Sequence, residues 1–325
     1  MKPALLALSL LLLAACNRQE QKPLCIVTFT NALETSPLEL AEDLGYFREE
    51  GINVTIEHTN KVSEALVAGS CDIAYDAFPS TLQAVSAEQS LKAFAVINVR
   101  STMTFVVSSQ KADEVHRMKD LKGAQIGIVG FGSATDSMAR HALRQHGLTA
   151  ADVSLIPIGS GPSSVAALEF GKVDAAFLPT RGLAALLRRT PKARILFDMR
   201  TPQGSKEFYG VEAIPLYSLS AKTQWLQQHP DDARRLIRAI QKTLRWMRDH
   251  SLDEVYTRMR PTYRSDVKES DLEALRVFIA ALSPDGRMPP GGAEAVQRVV
   301  SAADERILKI DLSATWTNDF LPTPK

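Results

Sequence analysis

Arg181, Glu34 and Asp76 supply the charges, and Ser133, Thr135, Ser160 and Ser163 the hydroxyls, that stand out as candidates for chemistry. A guanidinium grips a sulfonate or carboxylate through two parallel hydrogen bonds. The two acids suit an amine or a ring N–H. The four hydroxyls fall where helices are expected to begin, and hydroxyls beside free backbone N–H groups are what oxyanion binding needs, although the same residues also serve as ordinary caps. Phe78 and Phe131 adjoin Pro79 and Gly132, turn residues that would leave a ring free to stack on a planar solute or line an apolar slot. Tyr75 is expected to be buried in a sheet instead. Asn31, Asn60 and Thr180 complete the polar set. One Arg with two acids suits a zwitterionic or heteroaromatic solute better than bare nitrate.

Catalytic patterns fail in detail. GFGSATDS (Gly130 to Ser137) follows a strand-like run and opens a helix, but Thr135 replaces the third Gly of a dinucleotide loop, and Asp152 precedes the next strand instead of ending it. No GxxxxGK loop is present. His141 and His146 are five apart, roughly 140° around a helix, so they cannot share a metal face. No catalytic residue, metal or cofactor is expected.

The elements that must position these residues alternate. CIVTFT (Cys25 to Thr30) reads as a strand; Ser36-Pro37-Leu38-Glu39 reads as a capping box opening a helix that Gly51 stops; Ile52, Val54 and Ile56 alternate as a strand. A helix through Ala65 and Leu66 ends at Gly69, strand Asp72 to Tyr75 follows, and Pro79 opens another helix. Strands near Leu91–Ile97 and Met103–Ser108 close the first part. The pattern then restarts: a strand at Ala124–Val129, a helix from about Ser133 to His146, a strand at Val153–Ile158, a helix opened by Pro162, a strand at Val173–Phe177, a helix opened by Pro179 and a strand at Arg194–Phe197. Such alternation implies parallel sheets with helices on both faces. ALVAGSCDIAY (Ala65 to Tyr75) and ALEFGKVDAAF (Ala167 to Phe177) share Ala-Leu, Gly, Asp, Ala and an aromatic residue at the same offsets, so two lobes of like topology are expected. Gly69 and Gly171 would end helices at positive φ. Asp72 and Asp174 are expected to bond nearby turn amides rather than a ligand. After Thr223 the chain is mainly helical, with too few strands for a third sheet. The expected layout is therefore 24–108 for the first part of lobe one, 109–213 for lobe two, and 214–325 for the return to lobe one, whose tail helices wrap it. The hinge crossovers would lie near Ser108–Ala112 and Val211–Leu219. Ligands of open α/β sheets bind beyond the carboxyl ends of the strands, which selects the loops at 30–36, 59–63, 75–79, 130–136, 159–164 and 178–181.

The 325 residues are 45% apolar, enough for two buried cores. Lys and Arg total 38 against 37 Asp and Glu, which leaves no basic stripe for a nucleic acid. At the start, Met1-Lys2 precedes an apolar stretch from Ala4 to Leu13, too short to span a bilayer but suited to a secretory signal. Leu13-Ala14-Ala15-Cys16 resembles the bacterial lipobox, which implies removal of residues 1–15, acylation of Cys16 and a tether over 16–23; an ordinary signal peptide ending near a Cys is the alternative. By resemblance to bacterial sorting rules, Asn17 favours the outer membrane. Cys25 and Cys71 remain, each opening a strand; a disulfide and two buried thiols are both open.

LAEDLGYFREEGINV (Leu40 to Val54), EALVAGSCDIAY (Glu64 to Tyr75) and DLKGAQIGI followed by ALEFGKVDAAF together resemble the nitrate/sulfonate/taurine and thiamine-pyrimidine-precursor solute-binding proteins of ABC importers, over roughly Cys25 to Leu219. The resemblance implies an α/β, two-lobed periplasmic-binding-protein-like fold, each lobe a mainly parallel sheet flanked by helices, with a helical C-terminal tail on lobe one. It implies a small-molecule solute in the cleft (an organosulfonate, a small anion or a pyrimidine-like compound), an ABC permease as partner, a monomer, and no enzyme activity; with the lipobox, the protein is expected on the periplasmic side of a membrane, held by lipid alone. The alternatives are a thiamine-pyrimidine synthase-like enzyme of the same superfamily, whose Cys-rich motif this chain lacks, and a binding protein that feeds a sensor.

Overall fold

The computed structural model describes residues 22–30 and 33–323. Cys16, Asn17 and Asn31, with the signal and most of the tether, lie outside the described residues.

Among the described residues, ten strands form two five-stranded sheets. The first contains β1 (Leu24–Thr28), β2 (Val54–His58), β3 (Ile73–Ala77), β4 (Leu91–Asn98) and β10 (Tyr217–Lys222), in the order β2-β1-β3-β10-β4. The second contains β5 (Met103–Val107), β6 (Gln125–Ile128), β7 (Ser154–Pro157), β8 (Ala175–Pro179) and β9 (Arg194–Asp198), in the order β7-β6-β8-β5-β9. In each sheet three strands pair in parallel, and one strand (β10 or β5) lies antiparallel between two others. This is the expected α/β architecture of two sheets flanked by helices.

The first lobe carries α1 (Ser36–Asp43), α2 (Tyr46–Glu49), α3 (Val62–Ala68) and α4 (Phe78–Ser86). The second carries α5 (Ala134–Gln145), α6 (Pro162–Glu169), α7 (Thr180–Arg189) and α8 (Pro202–Tyr209). The tail adds α9 (Thr223–Gln228), α10 (Pro230–Asp249), α11 (Leu252–Arg258), α12 (Lys268–Ala280) and α13 (Gly292–Val300).

The internal repeat has a structural counterpart. Asp72 Oδ2 accepts from the Cys25 amide at 2.9 Å, and Asp174 Oδ2 from the Gln125 amide at 2.8 Å. Each aspartate thus ties the start of one strand to its parallel neighbour, β3 to β1 and β8 to β6. Gly69 and Gly171 have φ of 76° and 65°, the left-handed turn that ends each preceding helix.

Three expectations are corrected. β5 does not belong to lobe one: it pairs with β8 and β9, so the chain first passes between sheets at 99–102, not at Ser108–Ala112. Phe105, Val106 and Val107 are fully buried, and an apolar run of this kind needs a sheet interior with both faces covered. The tail does not wrap lobe one alone. α10 packs on α1 and α2, but α12 packs on α7, and α13 lies against both α4 and α5. The capping box at Ser36 is also absent, because Ser36 lies inside α1 and the Glu39 carboxylate is buried against the tail. There it accepts from the Tyr263 hydroxyl at 2.5 Å and lies 3.2 Å from His58 Nε2. Burial raises the Glu39 pKa above the usual carboxylate value.

Candidate functional site

Parallel pairing brings the carboxyl ends of β1, β2 and β3 to one edge of the first sheet, and those of β6, β7 and β8 to one edge of the second. β10 and β5 begin at these same edges, with Tyr217 opposite Ala77 and Met103 opposite Pro179. A cavity of about 530 Å³ lies between them. The first lobe contributes Phe29, Glu34, Ala77 and Tyr217, and the second Met103, Ser133, Thr135 and Pro179. The crossovers add Ser101, Thr102, Ile214, Pro215 and Leu216. Pro79, Ser80 and Gln83 of α4, Ser137 and Met138 of α5, and Val296, Val299 and Val300 of α13 close the remaining sides. The wall is mainly apolar, as in most small-molecule sites.

Glu34 is held at the rim by two contacts. Tyr75, fully buried as expected, donates its hydroxyl to the Glu34 carbonyl at 2.6 Å, and Thr102 donates to Glu34 Oε1 at 3.3 Å. Across the cavity, Ser133 is the N-cap of α5 and accepts from the Asp136 amide at 3.3 Å. Thr135 Oγ1 accepts from the Val129 amide at 2.8 Å and lies 3.0 Å from Ser133 Oγ. The hydroxyls therefore shape the loop as well as facing the cavity. The Asp136 carboxylate accepts from the Gly132 amide and pairs with Arg140, which places a negative charge in the first turn of α5.

A second chamber of about 570 Å³ shares Phe29, Ser80 and Gln83 with the first. Asn60, Ser63, Glu64 and Asp76 line it. Asp76 is 3% exposed; it accepts from Ser63 Oγ at 2.9 Å and from the Ala77 amide at 2.5 Å. Burial pushes its pKa from the ordinary 3.8 up to about 6, against the opposing pull of those hydrogen bonds. The folded state then holds this proton more tightly than the unfolded chain, so stability falls as pH rises from about 4 through 6 and stays reduced above. At one pKa unit per 1.36 kcal/mol the full penalty is about 3 kcal/mol. Asp76→Asn is accordingly expected to stabilise the unliganded protein by up to about that amount at pH 8 and by little at pH 4. Urea denaturation at both pH values checks this, and an equal effect at the two would refute it.

Of the residues singled out from the sequence, Glu34, Ser133 and Thr135 line the main cavity, and Asn60 and Asp76 the second chamber. The other described residues do not line either. Phe78 is fully buried in a core with Leu82, Phe105 and Phe177, because its ring turns inward at the start of α4. Phe131 is 66% exposed, outside the wall. Ser160, before α6, and Ser163, in its first turn, are exposed, and Ser163 Oγ donates to the Ile158 carbonyl at 2.7 Å. Thr180 donates to the Thr102 carbonyl at 3.2 Å, tying α7 to the first crossover.

Arg181 is engaged within the protein. It pairs with Asp271 of α12 at 2.8 Å and donates to the Tyr263 carbonyl. Asp271 is almost wholly buried and also accepts from the Ser265 amide and hydroxyl. Arg181→Met would leave that carboxylate without its cation, at a cost of about 3 kcal/mol. A lower denaturation midpoint in Arg181→Met, and a smaller effect of the same change in an Asp271→Asn background, are the expected results; additive effects would deny the coupling.

Sequence reasoning missed Thr102, Met103, Tyr209, Tyr217 and the α13 valines. Val296, Val299 and Val300 do follow helical spacing, but that periodicity marks a buried face without naming what covers it.

Comparison with known proteins places this geometry. A family model described as NMT1/THI5 like matches residues 33–252. A Bacillus subtilis (strain 168) protein named "Putative binding protein YtlA" is 23% identical over 305 residues, covering 90% of this chain and 87% of its own. The 4-amino-5-hydroxymethyl-2-methylpyrimidine phosphate synthase of Aspergillus parasiticus is 30% identical over 149 residues, 43% of this chain and 40% of that one. Among solved structures, the periplasmic aliphatic sulphonate binding protein of Escherichia coli superposes with a TM-score of 0.66 at 18% identity, covering 94% of this chain and 96% of that one. The fold is that of the periplasmic binding proteins.

Proposed function

We propose a function from one premise: the chain belongs to the NMT1/THI5-like family, whose model matches residues 33–252. On that premise it is the solute-binding component of an ABC importer, which captures a small organic molecule between its lobes and presents it to a permease. The observation that carries this reading is the cavity of about 530 Å³ at the facing carboxyl edges of two sheets, with the chain crossing between them on either side. Lobes joined in this way close by hinge motion around a ligand, and the closed form is what a permease would recognise. The Bacillus relative's name and the sulphonate-binding neighbour favour capture over turnover. The Aspergillus synthase favours the enzyme alternative but is matched over 43% of this chain. The lipobox-like Leu13 to Cys16 supports a lipid-anchored protein outside the cytoplasm.

A thermal-shift screen of sulfonates, taurine, nitrate, pyrimidines, amines and amino acids tests the reading. A solute present at a hundred times its Kd should stabilise the protein by about 2.7 kcal/mol. Chemical conversion of any bound solute by the purified protein would overturn the reading in favour of the enzyme.

A further inference from the structure

We propose that the captured solute is an organic cation: an apolar body whose protonated nitrogen is received by Glu34, with a second N–H-bearing end reaching Asp76 in the adjoining chamber. This rests on the reading of the cavity as the capture site.

The charge of the walls is the first argument. Among the described residues that line the main cavity, Glu34 is the only charged one, and those lining the second chamber add Glu64 and Asp76 without any Lys, Arg or His. Arg181 shares a small pocket with Glu34 but is committed to Asp271. An oxyanion placed here would therefore meet carboxylates with no compensating base.

The helix start that would favour an anion is also compromised. The Asp136 amide of the first turn of α5 is already bonded to Ser133 Oγ, and the Asp136 carboxylate in that same turn, itself paired with Arg140, weakens the partial positive charge of the helix end.

The third argument is Asp76 itself. A carboxylate 3% exposed, ionised at neutral pH with no cation among its recorded partners, is a standing cost in the empty protein. The groups around it are Ser63 of α3, Ser80 of α4 and the Ala77 amide, and the charge of Glu64 that acts on it is negative. A cationic ligand would relieve this arrangement. Ser80 and Gln83 border both chambers, so an elongated molecule would pass from one to the other along them. Met103, Met138, Ile214 and Val296 would cover its apolar body.

The test uses matched probes on the full-length protein: n-alkylamines and α,ω-diamines, n-alkanesulfonates and n-alkanols of four to eight carbons, followed by thermal shift and calorimetry. Amines should raise the melting temperature where sulfonates and alcohols of equal length do not, and diamines should exceed monoamines. Glu34→Gln should weaken amine binding at least tenfold. Asp76→Asn should remove the advantage of diamines and flatten the loss of diamine affinity as pH falls below about 6. Binding of sulfonates or of alcohols alone would overturn the cation and leave capture standing. Undiminished amine binding in both variants, each checked for native circular dichroism, would also overturn it. No binding by any series would count against this inference and the capture reading together.

Discussion

Reduction of the Cys25–Cys71 disulfide is expected to cost the protein about 4 kcal/mol, the loop-closure value for a bridge spanning some tens of residues. The two sulfurs are bonded across a sequence separation of 46, with Cα atoms 4.8 Å apart. Cys25 lies on β1 and Cys71 immediately before β3, and these strands are parallel neighbours with Ile26 opposite Ile73. The bridge therefore closes the whole β1–α1–α2–β2–α3 unit, so its loss returns much chain entropy to the unfolded state. Urea midpoints with and without reductant, and for the Cys25→Ala/Cys71→Ala double variant, would show it. Both should fall by a similar amount, and identical midpoints in oxidised and reduced protein would refute the bridge. A structural bridge of this kind persists in oxidising compartments, in accord with the proposed export.

Gly204→Ala is expected to be as damaging. A Cβ there would lie 1.8 Å from the Asp198 carbonyl oxygen and 2.6 Å from its carbon. Both atoms are backbone at the end of β9, so relief requires the helix to move rather than a side chain to turn. α8 would have to lift, and it carries Phe208, fully buried against Phe177 and Phe197, and Tyr209 of the cavity wall. Overpacking against fixed backbone places the loss at about 3–4 kcal/mol. Gly130→Ala is the control: a Cβ there meets nothing within 4 Å, and the change should stay within about 0.5 kcal/mol. Thermal denaturation of the two variants separates the cases. Equal stabilities would contradict the close approach of α8 to β9.

The solute reading and the charge of the cleft point in different directions from the names of the structural neighbours. The Escherichia coli neighbour is a sulphonate binder, yet its 18% identity carries the fold and not the lining residues. A shared scaffold leaves the ligand to side chains at the strand ends. In this chain Glu34 lines the main cavity and Asp76 the second chamber, and Arg181, which shares a small pocket with Glu34, pairs with Asp271 of the tail.

Local signals in the sequence determined the alternating elements, the doubling of the fold and the edge at which the cavity forms. Gly69 and Gly171, Asp72 and Asp174, and the helix starts near Pro79, Ser133 and Pro162 lie where their types imply, because turns, caps and short apolar runs depend on residues a few positions apart. Tertiary structure alone decided that β5 joins the second sheet, that α13 closes the cavity, that Phe78 turns into the core, and that Arg181 is claimed by Asp271, 90 residues further along the chain. Each of these outcomes turns on which distant partner covers an apolar face or neutralises a buried charge. Spacing records that a face must be covered or a charge paired, but the partner is chosen only when the chain packs.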